Sequence, residues 1–145
     1  MDIALAQHDD KAEWLGLWQD YLTFYQHVLS DEVTDLTWAR FLDPEEPMRL
    51  YVARDDGRMI GFASLVVHRS TWAGSNYVYL EDLFIDAAVR GKGAGRGLIA
   101  AVVADGKAIG AERVYWVTHS HNATARTLYD KVADLPGLVT YIARI

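Results

Sequence analysis

The chain has 145 residues, of which 51% are apolar and 23% are charged, and its formal net charge is −6 at neutral pH. These values favour a single folded domain spanning residues 1–145, and the negative charge disfavours non-specific binding to nucleic acid. Cysteine is absent, which excludes disulfides, thiol nucleophiles and cysteine-ligated zinc. No apolar run reaches the ~18 residues of a membrane span and no basic leader opens the chain, so we expect a cytoplasmic protein without a membrane partner.

The first half of the chain predicts two helices and a hairpin. The acidic pair Asp9–Asp10 precedes apolar residues at helical spacing as far as Val28, and Glu32–Leu42 predicts a shorter second helix. Met48–Arg54 and Arg58–His68 then predict two antiparallel strands joined by an Asp-Asp-Gly turn.

The second half predicts alternating strands and helices. Tyr77–Ile85 is a long apolar strand. It is followed by an amphipathic helix that ends near Gly110 and whose predicted apolar face comprises Leu98, Ile99, Val102, Val103 and Ile109. Arg113–Thr118 predicts a strand, Asn122–Val132 a helix and Leu138–Ile145 a closing strand. This order predicts an α/β fold with a mixed sheet, a strand–helix–strand crossover in its middle and flanking helices.

A glycine-rich loop joins the Tyr77–Ile85 strand to the following helix, with the sequence Arg90-Gly91-Lys92-Gly93-Ala94-Gly95. A helix N-terminus offers unpaired N–H groups and a positive dipole end, and glycines allow positive φ and close approach of an anion. The loop therefore predicts a pyrophosphate site, with a plain flexible turn as the alternative. A Walker loop is excluded because no Ser or Thr follows Lys92, and the full dinucleotide fingerprint is absent.

With these segments the chain resembles the GNAT superfamily of acetyl-coenzyme A-dependent N-acetyltransferases. Arg90–Gly95 matches the family motif Arg/Gln-x-x-Gly-x-Gly/Ala, Tyr79–Ile85 resembles its central splayed strand, and Asn122–Tyr129 resembles its second motif. The Glu-Asp pair and the stretch Trp116–Asn122 are most similar to the polyamine and histone-type branch. The resemblance implies a mostly antiparallel twisted sheet whose splayed central strand binds coenzyme A.

The resemblance also implies where the cofactor lies. Backbone groups of Leu83, Phe84 and Ile85 would pair with the pantetheine arm like an added strand, since a strand edge offers free N–H and C=O groups. Asn122 and Arg126 would contact the cofactor from the other side, although Asn122 could instead be a helix N-cap. The pyrophosphate would lie on the loop residues Arg90, Gly91, Lys92, Gly93, Ala94, Gly95 and Arg96.

Acetyl transfer by direct attack requires a neutral amine. An alkylammonium has a pKa of ~10.4, so the neutral form costs about 4–5 kcal/mol at pH 7, and a carboxylate lowers this cost by accepting the proton directly or through water. Glu81 is the first candidate for this base, with an ion pair at the sheet surface as its alternative role. Because side chains alternate along a strand, Asp82 is expected on the opposite face. For Asp82 the alternative roles are an ion pair at the sheet surface and a contact with the acceptor.

Tyr129 is the candidate proton donor to the leaving thiolate. With an ordinary pKa of ~10 it stays protonated at pH 7. Full proton transfer is uphill by roughly 2 kcal/mol on unperturbed pKa values, so hydrogen bonding is its main expected role. Its ring belongs, with Ala125, Leu128 and Val132, to the predicted buried stripe of the last helix. A core tyrosine with a satisfied hydroxyl is the alternative. By resemblance, a strand N–H near Leu83 would stabilise the oxyanion.

The acceptor side of the site rests on an aromatic stripe in the first helix, comprising Trp14, Trp18, Tyr21 and Tyr25. Such stripes are usually core, but Tyr21 or Tyr25 could contact an amine by a cation–π interaction. His119 and His121 share a strand face but lack a third ligand, so we expect no metal site.

The predicted function is acetyl transfer from acetyl-coenzyme A to a primary amine. The expected acceptor is a polyamine-like small molecule or a protein lysine, and the protein could be a homodimer, as is common in the family. The main alternative is a non-catalytic coenzyme A-binding module, which would need neither Glu81 nor Tyr129. An enzyme that acetylates charged tRNA is disfavoured by the net charge of −6.

Overall fold

The computed structural model describes residues 1–145, which form a five-stranded sheet with four α-helices. Two single 3₁₀ turns, at His8–Asp10 and Ala87–Val89, lie between these elements. In chain order the strands and helices are β1 (Asp2–Leu5), α1 (Lys11–Phe24), α2 (Asp31–Leu42), β2 (Met48–Asp55), β3 (Arg58–Arg69), β4 (Asn76–Ile85), α3 (Ala94–Ala108), β5 (Arg113–Tyr115) and α4 (Ala123–Val132).

The strands lie in the order β1-β2-β3-β4-β5, with the first four antiparallel and β4 parallel to β5. The crossover between the two parallel strands is α3, as a parallel connection requires. The predicted fold class, a mixed and mostly antiparallel sheet flanked by helices, is confirmed. None of the helices combines the length and the hydropathy needed to cross a membrane.

An aromatic core packs α1 and α2 against one face of the sheet. Trp14 is fully buried, and its ring centroid lies 5.2 Å from that of Trp18 and 5.0 Å from that of Trp38. Phe62 of β3 continues this cluster and contacts Trp18 at 5.9 Å. The core interpretation of the aromatic stripe is therefore correct for Trp14 and Trp18, the first two of its four members.

An aliphatic core packs α3 against the other face of the sheet. Leu98, Ile99 and Val102 of α3 are buried against Val78 and Leu80 of β4, together with small and aliphatic residues of β3. These three helix residues belong to the face that the sequence spacing predicted. The two cores share only the sheet, so each residue of β4 must face one or the other.

Several element boundaries differ from the sequence-based expectation. The first helix ends at Phe24 rather than near Val28, because the chain turns at Gln26, which has a φ of 52°. The strand β1 was not expected; it is a four-residue edge strand paired only with β2. The strand β5 ends at Tyr115, three residues short of the predicted Thr118.

The predicted closing strand Leu138–Ile145 is wrong. No helix or strand follows Val132, and the side chains beyond it are exposed, including Leu138 at 77% and Tyr141 at 91%. The segment has the β-branched and aromatic residues typical of a strand, but such propensity yields a strand only when a neighbour accepts its backbone hydrogen bonds. Within this chain no strand provides that neighbour.

Gly61 of β3 is expected to tolerate no side chain. An added Cβ would lie 2.7 Å from the carbonyl oxygen of Phe84 and 2.6 Å from Cδ1 of Ile85. Gly61→Ala should lower the free energy of unfolding by about 1–3 kcal/mol, because the backbone of β4 would have to move to relieve the clash. Gly16→Ala, in α1 with no atom within 4 Å of the new methyl group, should raise it by about 0.5–1 kcal/mol. Urea denaturation measures both, and equal stability of the two variants would contradict the clash.

Candidate active site

The glycine loop before α3 has the geometry of an anion site. Gly93 precedes the first residue of α3 with a φ of 88°, and Gly91 has a φ of 85°. A Cβ at either position would meet no atom within 4 Å, so the space in front of this backbone is open. Gly95 has a different role, since its missing side chain lets Cδ2 of Leu128 on α4 approach to 3.2 Å from the Cβ position.

The basic residues of the loop are only partly committed to other contacts. Arg90 donates from Nε to the carbonyl oxygen of Ile85 at 3.1 Å, and its guanidinium lies 5.8 Å from the ring centroids of Phe24 and Phe84. The Lys92 ammonium lies 3.7 Å from the Asp55 carboxylate, an exposed pair of small energetic value. The positive charge beside the helix N-terminus therefore remains available to an anion.

The strand β4 is splayed from β5. The two strands pair only where Tyr77–Tyr79 meets Arg113–Tyr115. From Leu80 to Ile85, the edge of β4 that faces away from β3 has no partner strand. This edge leads through the 3₁₀ turn Ala87–Val89 to the glycine loop, which is the arrangement expected for the splayed central strand.

A β-bulge in β4 changes which residues face each core. Ser64 of β3 pairs with Asp82 and Leu65 pairs with Leu80, so Glu81 is an extra residue without a partner. Such a bulge places two consecutive side chains on the same side of a strand. The expectation that Asp82 lies on the face opposite Glu81 is therefore wrong, because strict alternation stops at this bulge.

Glu81 and Asp82 line one cavity between α1, α2 and the sheet, here termed the acceptor cavity. Its volume is about 420 Å³ and its other walls are mainly aromatic and aliphatic, including Trp18, Tyr21 and Tyr25. The structure thus brings together both acids and both tyrosines that the sequence singled out for this side of the site. An apolar pocket with a few convergent polar groups is the usual form of a small-molecule site.

Asp82 is held by two hydroxyl groups rather than by a cation. Tyr21 donates to Oδ1 at 2.6 Å, and the Ser64 hydroxyl donates to Oδ2. Burial raises the pKa of Asp82, and the two hydrogen bonds act in the opposite direction. Burial and the neighbouring Asp82 raise the pKa of Tyr21, so this phenol keeps its proton. The alternative of a surface ion pair for Asp82 is wrong.

Glu81 lies at the open side of the acceptor cavity. Burial against the cavity wall raises its pKa, and the charge of Asp82 raises it further. A carboxylate whose pKa moves up toward neutrality is a better proton acceptor at physiological pH than an ordinary glutamate.

Tyr129 projects from α4 toward the sheet. Its ring centroid lies 5.4 Å from that of Trp116, and it packs beside Leu128 and Val132, as the predicted stripe required. Burial raises its pKa, with a smaller contribution from Tyr25. Its hydroxyl makes no hydrogen bond within the chain, which disfavours the alternative of a core tyrosine with a satisfied hydroxyl.

The residues at the start of α4 are engaged locally. Asn122 caps the helix, accepting from the Ala125 N–H at 3.5 Å and donating to Oγ1 of Thr118 at 3.3 Å. Arg126 donates to the carbonyl oxygen of Ser120 at 2.7 Å. The N-cap interpretation of Asn122 is confirmed, and contact of either residue with the cofactor stays a prediction.

The two histidines of this region stack on each other. The ring centroids of His119 and His121 lie 5.3 Å apart, and His119 lies 5.8 Å from Tyr25. No group of three or more His, Asp or Glu side chains in the structure is arranged to hold a metal ion.

Ser64 is the site residue that sequence reasoning missed. It is the one hydroxyl residue within the apolar run Met59–Val67 of β3 and is almost fully buried. A polar residue in a buried strand requires a partner, and this signal could have identified it.

Asp82→Asn should raise the free energy of unfolding at pH 7 and change it little near pH 4. Because the pKa of Asp82 is raised in the folded protein, the folded state binds this proton more tightly than the unfolded state. Stability from this group is therefore present at low pH and is lost as the pH rises through the folded pKa. The neutral amide avoids that loss while keeping an oxygen for Tyr21.

Urea denaturation at both pH values measures the effect. Asp35→Asn is the matched control, because its exposed carboxylate pairs only with Lys11, and it should change stability by less than about 1 kcal/mol. A loss of stability for Asp82→Asn at pH 7 would contradict a raised pKa of Asp82 in the folded protein.

Comparison of the sequence with known proteins identifies the family. Residues 14–133 match the model of the acetyltransferase (GNAT) family. The chain is 38% identical over 134 residues to the D-amino-acid N-acetyltransferase HPA3 of Saccharomyces cerevisiae, a match that covers 91% of this chain and 83% of the yeast protein.

Solved structures agree on the fold. The aminoglycoside N-acetyltransferase AAC(6')-Iy, in complex with the bisubstrate analogue CoA-S-monomethyl-acetylneamine, superposes with a TM-score of 0.86 at 21% identity, over 99% of this chain and 97% of that chain. A ribosomal-protein-alanine N-acetyltransferase from Brucella melitensis biovar Abortus 2308 superposes with a TM-score of 0.80 at 21% identity, over the whole of both chains. The chain belongs to the GNAT family and is an N-acetyltransferase that uses acetyl-coenzyme A.

Proposed function

We propose that the protein acetylates the primary amine of a small molecule bound in the acceptor cavity. The observation that carries this proposal is the bulge at Glu81, which presents Glu81 and Asp82 to the same cavity beside the open edge of β4. An ammonium group is attracted to two adjacent carboxylates, and the aromatic walls favour it through cation–π contact. The bound cofactor supplies an acetyl thioester at this edge.

The residues present fit the cofactor. The open backbone at Gly91 and Gly93 and the N-terminus of α3 would hold the pyrophosphate, assisted by Arg90, Lys92 and Arg96. The unpaired edge at Leu83–Ile85 would hydrogen bond the pantetheine arm.

Glu81 would take the proton from the bound ammonium. Because the pKa of Glu81 is raised, it lies closer to the pKa of the ammonium group. The proton therefore moves to Glu81 more readily than to an ordinary glutamate. Asp82 has both oxygens engaged by Tyr21 and Ser64, so its role is to attract the ammonium and raise the pKa of Glu81 rather than to exchange protons.

Tyr129 would hydrogen bond the leaving sulfur. Its hydroxyl is free of partners within the chain and it stays protonated, because its raised pKa lies further above neutrality than that of an ordinary tyrosine. A non-catalytic coenzyme A-binding module would need neither this free hydroxyl nor the paired acids of the cavity, and it is not favoured.

The acceptor class follows from the cavity and the relatives together. A cavity of about 420 Å³ suits a small molecule. The relatives are named for D-amino acids and aminoglycosides, which does not support the polyamine and histone-type branch suggested by the sequence. We therefore place small amino compounds, and amino acids first among them, ahead of polyamines and protein lysines.

We also propose that the protein is a homodimer. The segment after Val132 carries an exposed apolar surface, including Leu138 and Tyr141, and a second copy is a partner able to cover it. Cytoplasmic location remains a prediction.

An acceptor panel tests the function. With acetyl-coenzyme A, the protein should release coenzyme A thiol and form acetylated product when offered D- and L-amino acids, aminoglycosides, polyamines or a histone peptide, with small amino compounds preferred. Glu81→Gln should lower kcat/KM about 10²–10⁴-fold and remove the acidic limb of its pH profile, because that limb reports ionisation of Glu81. Glu32→Gln, exposed at the start of α2, is the control. Failure of every amine would contradict the proposal.

Tyr129→Phe should lower kcat about tenfold or more while the KM for acetyl-coenzyme A stays within twofold, since the lost hydroxyl acts on the leaving sulfur during transfer. Steady-state kinetics measure both values. Tyr51→Phe is the matched control, because its lost hydroxyl donates to Asp105 of α3, away from the acceptor cavity. An unchanged kcat for Tyr129→Phe would return this residue to a purely structural role.

A further inference from the structure

The Arg113 guanidinium lies on aromatic rings without an acidic partner. The Cζ atom of Arg113 lies 4.2 Å from the ring centroid of Tyr77 and 4.7 Å from that of Tyr115. No carboxylate lies within ion-pair distance of it; the neighbouring Glu112 accepts instead from the Ser75 N–H at 3.0 Å. Three other arginines of the sheet, Arg49, Arg54 and Arg58, are paired with carboxylates.

The two rings under Arg113 belong to a larger aromatic surface, here termed the aromatic shelf, made by His68, Tyr77, Tyr79 and Tyr115. The Tyr115 ring lies 5.0 Å from the Tyr79 ring, and Nε2 of His68 lies 2.6 Å from the Tyr115 hydroxyl. Stacking uses the face of the guanidinium and leaves its N–H donors at the rim free. Arg113 is therefore positioned, charged and available for bidentate hydrogen bonding.

The aromatic shelf leads to the acceptor cavity. Tyr77, Tyr79 and Glu81 alternate along β4 with Val78 and Leu80, which are buried on the α3 side, so these three face the same side as the cavity. Burial raises the pKa of the Tyr115 hydroxyl, the charge of Arg113 lowers it and that of Glu81 raises it, so both charges lie near this hydroxyl.

The spacing suits a small zwitterion. The Arg113 guanidinium contacts the rings of Tyr77 and Tyr115, and Tyr115 pairs with Tyr79. These registers lie two to four residues along β4 from Glu81, roughly 7–13 Å at ~3.3 Å per residue. An α-amino acid that bridges a carboxylate and a guanidinium spans a similar distance, on the order of 9 Å from bond lengths and hydrogen-bond distances.

We propose that Arg113 binds the carboxylate of an α-amino acid whose amine lies at Glu81 and Asp82. This inference rests on the proposed function and narrows its acceptor to amino acids. Arg113 would supply two parallel N–H···O bonds to the carboxylate, and the aromatic shelf would keep the guanidinium plane in place. The opposite charges at the two ends of the site would orient the acceptor with its amine toward the cofactor edge.

Paired acceptors test the assignment. Phenylalanine, in D and L forms, is compared with phenethylamine, which lacks only the carboxylate. Arg113→Gln should raise the KM for phenylalanine about tenfold or more, since a hydrogen bond between charged groups is lost. The KM values for phenethylamine and acetyl-coenzyme A should stay within twofold. Arg113→Lys should raise the KM for phenylalanine less than Arg113→Gln does, because lysine keeps the positive charge but lacks the two parallel N–H donors.

Arg69→Gln is the matched control, since Arg69 lies at the same end of the sheet and its side chain alternates with that of His68. An equal rise in KM for phenethylamine, or no rise for phenylalanine, would overturn the role of Arg113 while leaving acetyl transfer intact. If the wild-type protein acetylates neither these two compounds nor any amine of the acceptor panel, the proposed function fails. Calorimetric binding of phenylalanine and phenethylamine to wild type and Arg113→Gln then decides the carboxylate site separately, with equal affinities overturning it.

Discussion

The extra residue at Glu81 is the constraint from which the site follows. The strand β4 separates two cores, and its side chains must satisfy α3 on one side and α1 on the other. Up to Leu80 the buried residues face α3, whereas Asp82 and Phe84 face α1. A bulge allows the side chains to change faces in this way within one continuous strand. As a direct consequence, two consecutive carboxylates enter the same cavity.

The same constraint carries an energetic cost that the surrounding residues offset only in part. Two adjacent acids repel each other, and the inner one is buried without a cation. The hydroxyls of Tyr21 and Ser64 satisfy both oxygens of Asp82, yet its pKa remains raised. The folded protein thus holds the Asp82 carboxylate in a place where it is less stable than in water. Burial and the charge of this carboxylate together raise the pKa of the neighbouring Glu81. Under the proposed function, this is the usual exchange of stability for function at a catalytic site.

The features that sequence predicted well depend on local patterns. The spacing of Leu98, Ile99 and Val102 predicts the buried face of α3, and Gly91 and Gly93 predict the positive φ values before it. The bulge has no comparable signal in the sequence, because Glu81 is an extra residue only in the register between β4 and β3. The segment Leu138–Ile145 shows the reverse, since its composition favours a strand but its conformation depends on a partner outside the local sequence. Tyr129 was located correctly by its helical stripe, whereas its unbonded hydroxyl is visible only in three dimensions.

The position of the acceptor nitrogen is the most direct test of this account. A crystal structure of the protein with coenzyme A and an amino-acid acceptor should place that nitrogen in the acceptor cavity. It should lie ~2.7–3.2 Å from a carboxylate oxygen of Glu81 or Asp82, or one water molecule away. An acceptor nitrogen on the opposite face of β4, or outside the cavity and remote from both carboxylates, would contradict the role assigned to the bulge.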